Sequence, residues 1–167
     1  MDAGSSKSIR RMPGASVTPA SAAAAVPRKP RRVLSLMASM SPTWMEGGRL
    51  RPCHFQPTFH KFTGELCAGF QIHLDDAAYR HDRFRPYRLM ALCLKAIRRW
   101  RSDYPLWRDF AYEYETDRLA IDVISGGPEL RAWVDDPSAT AADFEAVLAP
   151  DETAWSESRL PHLLYPA

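Results

Sequence analysis

The composition of the chain changes at Gly47-Gly48. Residues 1–32 are rich in Ser, Ala and Pro, hold seven Lys or Arg against one acidic residue, and contain almost no large apolar side chains. Such a segment cannot bury enough apolar surface to offset the conformational entropy that is lost on ordering. We therefore predict that residues 1–46 form a disordered basic extension and that residues 47–167 form the folded domain.

The length and the cysteine pattern exclude several classes of protein. The 167 residues suffice for one domain that buries a core without disulfides. The longest apolar run, Leu89–Leu94, is far shorter than the ~20 residues of a membrane-spanning helix, so we predict no membrane span. Cys53, Cys67 and Cys93 are odd in number and widely spaced, unlike a disulfide framework or a paired zinc motif. We predict free, mostly buried thiols and no metal or other cofactor.

Two strands are predicted at the start of the folded part. Arg49–Gln56 mixes apolar, aromatic and basic residues, and Pro52, which has no N–H to donate, places this strand at an edge. Phe70–Leu74 alternates apolar and polar residues, which predicts a second strand with Phe70 and Ile72 on one face. The polar stretch between the two strands is predicted to be a loop.

A helix is predicted over Arg83–Asp103, with Pro86 in its first turn. We expect one stripe of this helix to face the core, formed by Met90, Cys93, Leu94 and Ile97. We expect the solvent-facing side to carry Arg88, Lys95, Arg98, Arg99 and Arg101. The basic residues near the C-terminal turn interact favourably with the helix dipole. This interaction explains their position without a role in nucleic-acid binding. We therefore predict no nucleic-acid binding by this helix; electrostatic binding of nucleic acid by the basic residues 1–45 is a third, weaker alternative.

The second half of the chain contains mainly helical signals. Phe110–Tyr114 alternates aromatic with small or acidic residues and predicts a further strand. A helix is predicted over Glu129–Val134, and Thr140 with Asp143 forms a capping signature for another, which we expect Pro150 to interrupt. The order of elements predicts an α+β fold, a small mixed sheet packed by several helices.

Side chains that could take part in catalysis or ligand binding are densest in Cys53–His73. This stretch contains three imidazoles, a lysine, a carboxylate and two thiols. A carboxylate beside imidazoles can transfer protons when its surroundings adjust its pKa. Zinc is an alternative by donor type, but the spacing matches no standard zinc pattern, and we predict no metal site.

The same stretch, continued to Asp76, resembles the signature of a known family. It reads RPCHFQPTFHKFTGELCAGFQIHLDD and is similar to the C-terminal domain of the exo-β-N-acetylmuramidase (NamZ-like) family. The resemblance covers approximately residues 47–167 and depends on an ordered set of identities: Pro57, Thr58, Phe59, Lys61, Gly64, Glu65, Leu66, Cys67, Gly69, Gln71, Ile72 and His73. The chain departs from the pattern at His60, Ala68 and Phe70, where the family tends to have Ser, Gly and an aliphatic residue.

The resemblance implies a function in peptidoglycan turnover. The family releases terminal N-acetylmuramic acid from the non-reducing end of bacterial cell-wall fragments, and its full-length members have a larger Rossmann-like N-terminal domain with the principal catalytic carboxylate. We therefore expect this chain to be the cleft-lining C-terminal module, inactive alone, with muramic-acid glycans and a separate N-terminal chain as partners. The alternative is a truncated remnant or non-catalytic interaction module that binds a protein partner.

The resemblance also implies site residues. Glu65 and His73 are the expected catalytic groups. The expected substrate contacts are Thr58, His60, Lys61 and Gln71. The lactyl carboxylate of muramic acid would pair with Lys61 or with a protonated histidine. The basic extension also resembles a targeting segment, so the localisation stays open between the cytoplasm and the cell envelope.

Overall fold

The computed structural model describes residues 30–75 and 77–165. Within these ranges the protein has an α+β fold, as predicted, and its sheet consists of two antiparallel strands. No helix in the described part is long and apolar enough to cross a bilayer. The elements, with a short 3-10 turn at Pro42–Met45 and another at Leu160–His162, are α1 (Pro30–Met40), β1 (Arg49–Phe55), β2 (Cys67–His73), α2 (Pro86–Trp100), α3 (Ala120–Ser125), α4 (Glu129–Asp135) and α5 (Ala141–Ser158).

Part of the predicted disordered extension is folded, which corrects that prediction for residues 30–46. Helix α1 buries Val33 and Met37, and the following turn buries Trp44. Val33, Met37 and Met40 recur at positions i, i+4 and i+7, which gives α1 an apolar stripe facing the core. The basic and Pro-rich composition that precedes α1 concealed this stripe. Residues 1–29 lie outside the described residues.

Strands β1 and β2 form a hairpin, which confirms both strand predictions and the loop between them. Leu50 pairs with Ile72 and Pro52 pairs with Phe70 in the register. Paired residues project to the same face of a sheet, and three of these side chains, those of Leu50, Phe70 and Ile72, pack against the core. In a two-stranded sheet both strands are edges, so the missing N–H of Pro52 is tolerated.

Helix α2 lies at the centre of the core between α1 and α4. It begins at Pro86, three residues after the predicted start, and Pro86 lies in its first turn, as predicted. Its most buried apolar residues are Leu89, Leu92 and Ala96. Of the predicted stripe, Cys93 is buried and Leu94 and Ile97 pack against the core, whereas Met90 is 48% exposed.

Two cations predicted to face solvent are buried in α2. Arg88 is buried because Glu145 and Glu152 of α5 both accept its hydrogen bonds. Lys95 is buried because its Nζ donates to the carbonyl oxygens of Trp133 (2.6 Å) and Asp136 (2.9 Å) at the end of α4. The Lys95 ammonium also lies 4.2 Å from the centre of the Trp133 ring, where a cation is attracted to the π face. Burial lowers the pKa of Lys95.

The structure confirms some of the predictions for the second half of the chain and corrects others. Helix α4 is present, and Thr140 with Asp143 forms a capping box at the start of α5. The predicted strand over Phe110–Tyr114 is wrong: only an isolated bridge forms there, and Tyr114 is 100% exposed. Helix α5 continues through Pro150, because Arg88 holds glutamates on both sides of that proline.

The three cysteines are free thiols, as predicted. Cys67 and Cys93 are buried and Cys53 is half-buried. Burial raises the pKa of Cys93 to about 11.

Candidate functional site

The loop between β1 and β2 is closed by its own hydrogen bonds. The backbone N–H of Gly64 donates to the Pro57 carbonyl oxygen at 3.0 Å. The side-chain Nε2 of Gln56 donates to the Gly64 carbonyl oxygen at 2.7 Å. The Glu65 amide donates to the Phe62 carbonyl oxygen at 2.9 Å. These bonds hold the backbone of the loop up to the amide of Glu65.

The tip of the loop carries backbone strain. His60 and Phe62 have φ values of 59° and 60°, in the left-handed region that disfavours side chains with a Cβ. The Thr63 hydroxyl donates to the His60 carbonyl oxygen at 2.6 Å and helps to hold this conformation. Backbone strain of this kind is concentrated at functional sites in proteins.

A cavity of about 560 Å³ lies where the loop joins the strands. His54, Glu65, Leu66 and Ala68 line it, and His54 pairs with Ala68 in the hairpin register. Within the described part of the chain, neither the Glu65 carboxylate nor the His54 imidazole has a hydrogen-bond or ion-pair partner. Both groups are exposed and are therefore available to a ligand.

A second, more open depression lies at the loop tip and is lined by Phe59, His60 and Lys61. The rings of Phe59 and His60 meet edge to face with their centres 5.1 Å apart. Thr58 precedes them and is exposed. Of the predicted contacts, His60 and Lys61 line this depression, and Thr58 is close to them in the chain.

Gln71 and His73 lie elsewhere. They pair with Arg51 and Arg49, on the face of the hairpin opposite to Phe70 and Ile72.

The structure also separates His73 from Glu65. Strand β2 alone spans about 20 Å from Cys67 to His73, and Glu65 precedes its first residue. His73 Nδ1 is 3.7 Å from the Asp75 carboxylate, and its Nε2 is buried without a hydrogen-bond partner among the described residues.

The imidazole that shares a cavity with Glu65 is that of His54, which the sequence did not single out. The alternation that places Phe70 and Ile72 on one face also places Ala68 there, and the register then places His54 opposite Ala68. Only knowledge of the register could have identified His54, because an imidazole one position away would project to the other face.

The charges of the site differ from those of the rest of the surface. Elsewhere many charged groups are paired, as Arg98 is with Asp135 and Arg131 is with Asp122. The Lys61 ammonium, like the Glu65 carboxylate, has no ion pair within the described part of the chain. Unpaired exposed charge on a preformed loop is suited to binding a polar ligand.

The His, Cys and carboxylate side chains of the described residues do not form a metal centre. No group of three or more His, Cys, Asp or Glu side chains there could hold a metal ion. The Glu65 carboxylate and the His54 imidazole can instead accept, donate or transfer protons.

Exposed apolar side chains lie on and beside the loop. Phe59 and Leu66 are 71% and 73% exposed, and Phe55 at the end of β1 is half exposed. Clustered exposed apolar groups mark interaction surfaces in soluble proteins.

Comparison with known proteins agrees with the sequence resemblance. A family model described as "Exo-beta-N-acetylmuramidase NamZ, C-terminal" matches residues 25–165, a range that includes α1, the hairpin and every candidate site residue. No curated protein and no solved structure matches the chain. The resemblance is confirmed, and the matched range begins earlier than the sequence reading suggested.

Proposed function

This chain belongs to the family of C-terminal domains of the exo-beta-N-acetylmuramidase NamZ, and from that premise we propose that its hairpin loop forms one wall of a cleft that binds muramic-acid-containing glycans. The observation that carries the proposal is the Glu65 carboxylate, which has no partner among the described residues and lines the same cavity as His54, on a loop closed by its own hydrogen bonds. A preformed site avoids the entropy cost of ordering a loop when the ligand binds.

Each loop residue has a role in this proposal. Lys61 pairs with the lactyl carboxylate of muramic acid, because an ammonium and a carboxylate form a charge-assisted hydrogen bond. Thr58 and His60 donate hydrogen bonds to hydroxyl or carbonyl oxygens of the glycan. Glu65 accepts hydrogen bonds from the sugar and is the residue of this wall that takes part in proton transfer.

His73 and Gln71 receive a different role from that of Glu65. Along β2, Gln71 lies about 13 Å and His73 about 20 Å from Cys67 at the Glu65 end of the hairpin, too far to contact the same sugar ring as Glu65. We assign them to another part of the glycan or to the facing domain. His73 would then assist the reaction only by positioning.

Hydrolysis requires a second domain in this proposal. Glycoside hydrolases commonly use two carboxyl groups on either side of the scissile bond, and among the described residues that line the cavity Glu65 alone has a carboxylate. The other carboxylate would come from a catalytic domain facing this wall. The exposed Phe55, Phe59 and Leu66 give that domain an apolar surface to cover.

A second candidate function is a non-catalytic interaction module. Every residue of 149–165 is exposed, including Trp155 and Leu164 near the end of the described chain. An apolar surface of this kind favours a protein partner at the α5 end as well as at the hairpin.

Calorimetric titration of the purified chain with a muropeptide separates these functions. We expect the wild-type protein to bind, and Glu65→Gln and Lys61→Ala each to weaken binding about ten-fold, the effect of losing one charged hydrogen bond. Glu157→Gln, a change at an exposed site on α5, is the matched control and should bind like wild type. If the wild-type chain binds no muropeptide, the interaction-module function replaces the glycan-binding one.

A further inference from the structure

The cavity beside His54 is lined by two polar and two apolar residues. We propose that it holds the acetamido group of an N-acetylated sugar, with His54 and Glu65 as the two polar contacts. This inference rests on the proposed function and adds to it a ligand group and a contact residue, His54.

The walls of the cavity differ in character. Ala68 is buried and forms an apolar base, while Leu66 forms an exposed apolar side. His54 and Glu65 supply the polar part of the lining. The cavity of about 560 Å³ lies within the ordinary size range of small-molecule sites and accommodates a sugar ring together with its substituent.

An acetamido group has three features, and the lining offers a complement to each. Its N–H is a donor, and an ionised carboxylate such as Glu65 only accepts. Its carbonyl oxygen is an acceptor, and a ring N–H of His54 donates. Its methyl group is apolar, and Leu66 and Ala68 offer it apolar contacts.

The charge of Glu65 excludes the other distinctive substituent of muramic acid. The lactyl group ends in a carboxylate, which the Glu65 carboxylate would repel. Lys61, at the loop tip, is the cation for that group. The cavity therefore takes the uncharged substituent, and the loop tip takes the charged one.

The backbones of the two contact residues are held in place before a ligand arrives. His54 lies in β1, and its backbone pairs with Ala68 of β2. The Glu65 backbone is fixed by the Phe62 carbonyl oxygen, and the neighbouring Gly64 is held by Pro57 and Gln56. Binding an amide between them orders two side chains and no backbone.

The test compares two sugars by nuclear magnetic resonance titration of the full chain. One is N-acetylmuramic acid, and the other is its analogue with a hydroxyl group in place of the acetamido group. We expect the acetamido sugar to bind about ten-fold more tightly, since the analogue leaves the His54 and Glu65 contacts incomplete. His54→Leu should abolish this preference, and His162→Leu, which removes an exposed imidazole from another element, should keep it.

The outcomes distinguish this inference from the proposed function. Equal binding of the two sugars by the wild-type chain, or an unchanged preference in His54→Leu, would overturn the acetamido site and leave glycan binding intact. Binding of neither sugar would overturn both. Circular dichroism verifies the fold of each variant, and Glu65→Gln supplies a second variant in which the preference should fall.

Discussion

Arg88 and Glu145 form a two-point ion pair between α2 and α5, with Nε to Oε1 and Nη2 to Oε2 both at 2.7 Å. Arg88 also binds Glu152, and the Trp44 indole N–H donates to Glu145 Oε1 at 2.8 Å. The pair therefore joins α2, α5 and the turn after α1 at one buried guanidinium.

Removal of Glu145 should destabilise the fold. Glu145→Ala leaves the Arg88 guanidinium with Glu152 alone and leaves the Trp44 N–H without its acceptor. We expect a loss of about 1–2 kcal/mol in the free energy of unfolding, measured in urea. Glu157→Ala on the same helix is exposed and should change it by less than about 0.5 kcal/mol. Equal effects of the two substitutions would contradict a structural role for the pair.

The same pair predicts how stability depends on pH. Hydrogen bonds from Arg88 lower the pKa of Glu145 and of Glu152 below the usual 4.5. A carboxyl group with a lower pKa in the folded state stabilises the protein above its unfolded pKa, and this stabilisation is lost as the pH falls through the folded pKa. Unfolding free energies should therefore decrease below about pH 5, and less steeply in Arg88→Met. Parallel curves for the two proteins would refute the assignment.

Two glycines with similar backbone angles should respond differently to alanine. Gly47 has φ +81° and a Cβ there would lie 2.4 Å from the Phe84 amide nitrogen, whereas Gly64 has φ +79° and open space around it. Gly64→Ala should cost about 1–2 kcal/mol from the left-handed backbone alone. Gly47→Ala adds a clash with backbone and should cost at least about 3 kcal/mol in thermal or urea unfolding. A smaller loss at Gly47 than at Gly64 would be inconsistent with this packing.

The three thiols should differ in reactivity. Burial raises the pKa of Cys93 to about 11 and protects its thiol, and Cys67 is also buried, whereas Cys53 is half-buried. A thiol reagent at mildly alkaline pH should modify Cys53 first and should reach all three cysteines only in denaturant. Mass spectrometry of the modified peptides identifies the order of modification. Early modification of Cys93 would show that its thiol is accessible to solvent and would contradict its burial.

Local patterns predicted the hairpin well. The alternation through Phe70 and Ile72 and the proline at position 52 are properties of neighbouring residues, so a short window of sequence contains them. The capping box of Thr140 and Asp143 is equally local. These features depend on no distant partner.

The errors arose where distant partners decide the outcome. Arg88 and Lys95 were predicted to face solvent because their partners, Glu145 and the end of α4, lie far along the chain. Helix α1 was missed because its stripe of Val33 and Met37 is short and follows a basic, Pro-rich segment.

The same limit applied to the candidate site. Loop residues such as Lys61 could be named from the sequence. The position of His54, rather than His73, in the same cavity as Glu65 could not be predicted, because it depends on the register of the hairpin.

The most direct measurement of the central claim is a map of backbone amide chemical-shift changes when an N-acetylmuramic-acid-containing disaccharide is added to the isotope-labelled chain. We expect the largest changes at residues 54–68, above all at Gly64 and Glu65, with the amides of α1 and α2 unaffected. Saturable changes confined to another surface, or no changes at the hairpin at concentrations that saturate binding, would contradict it.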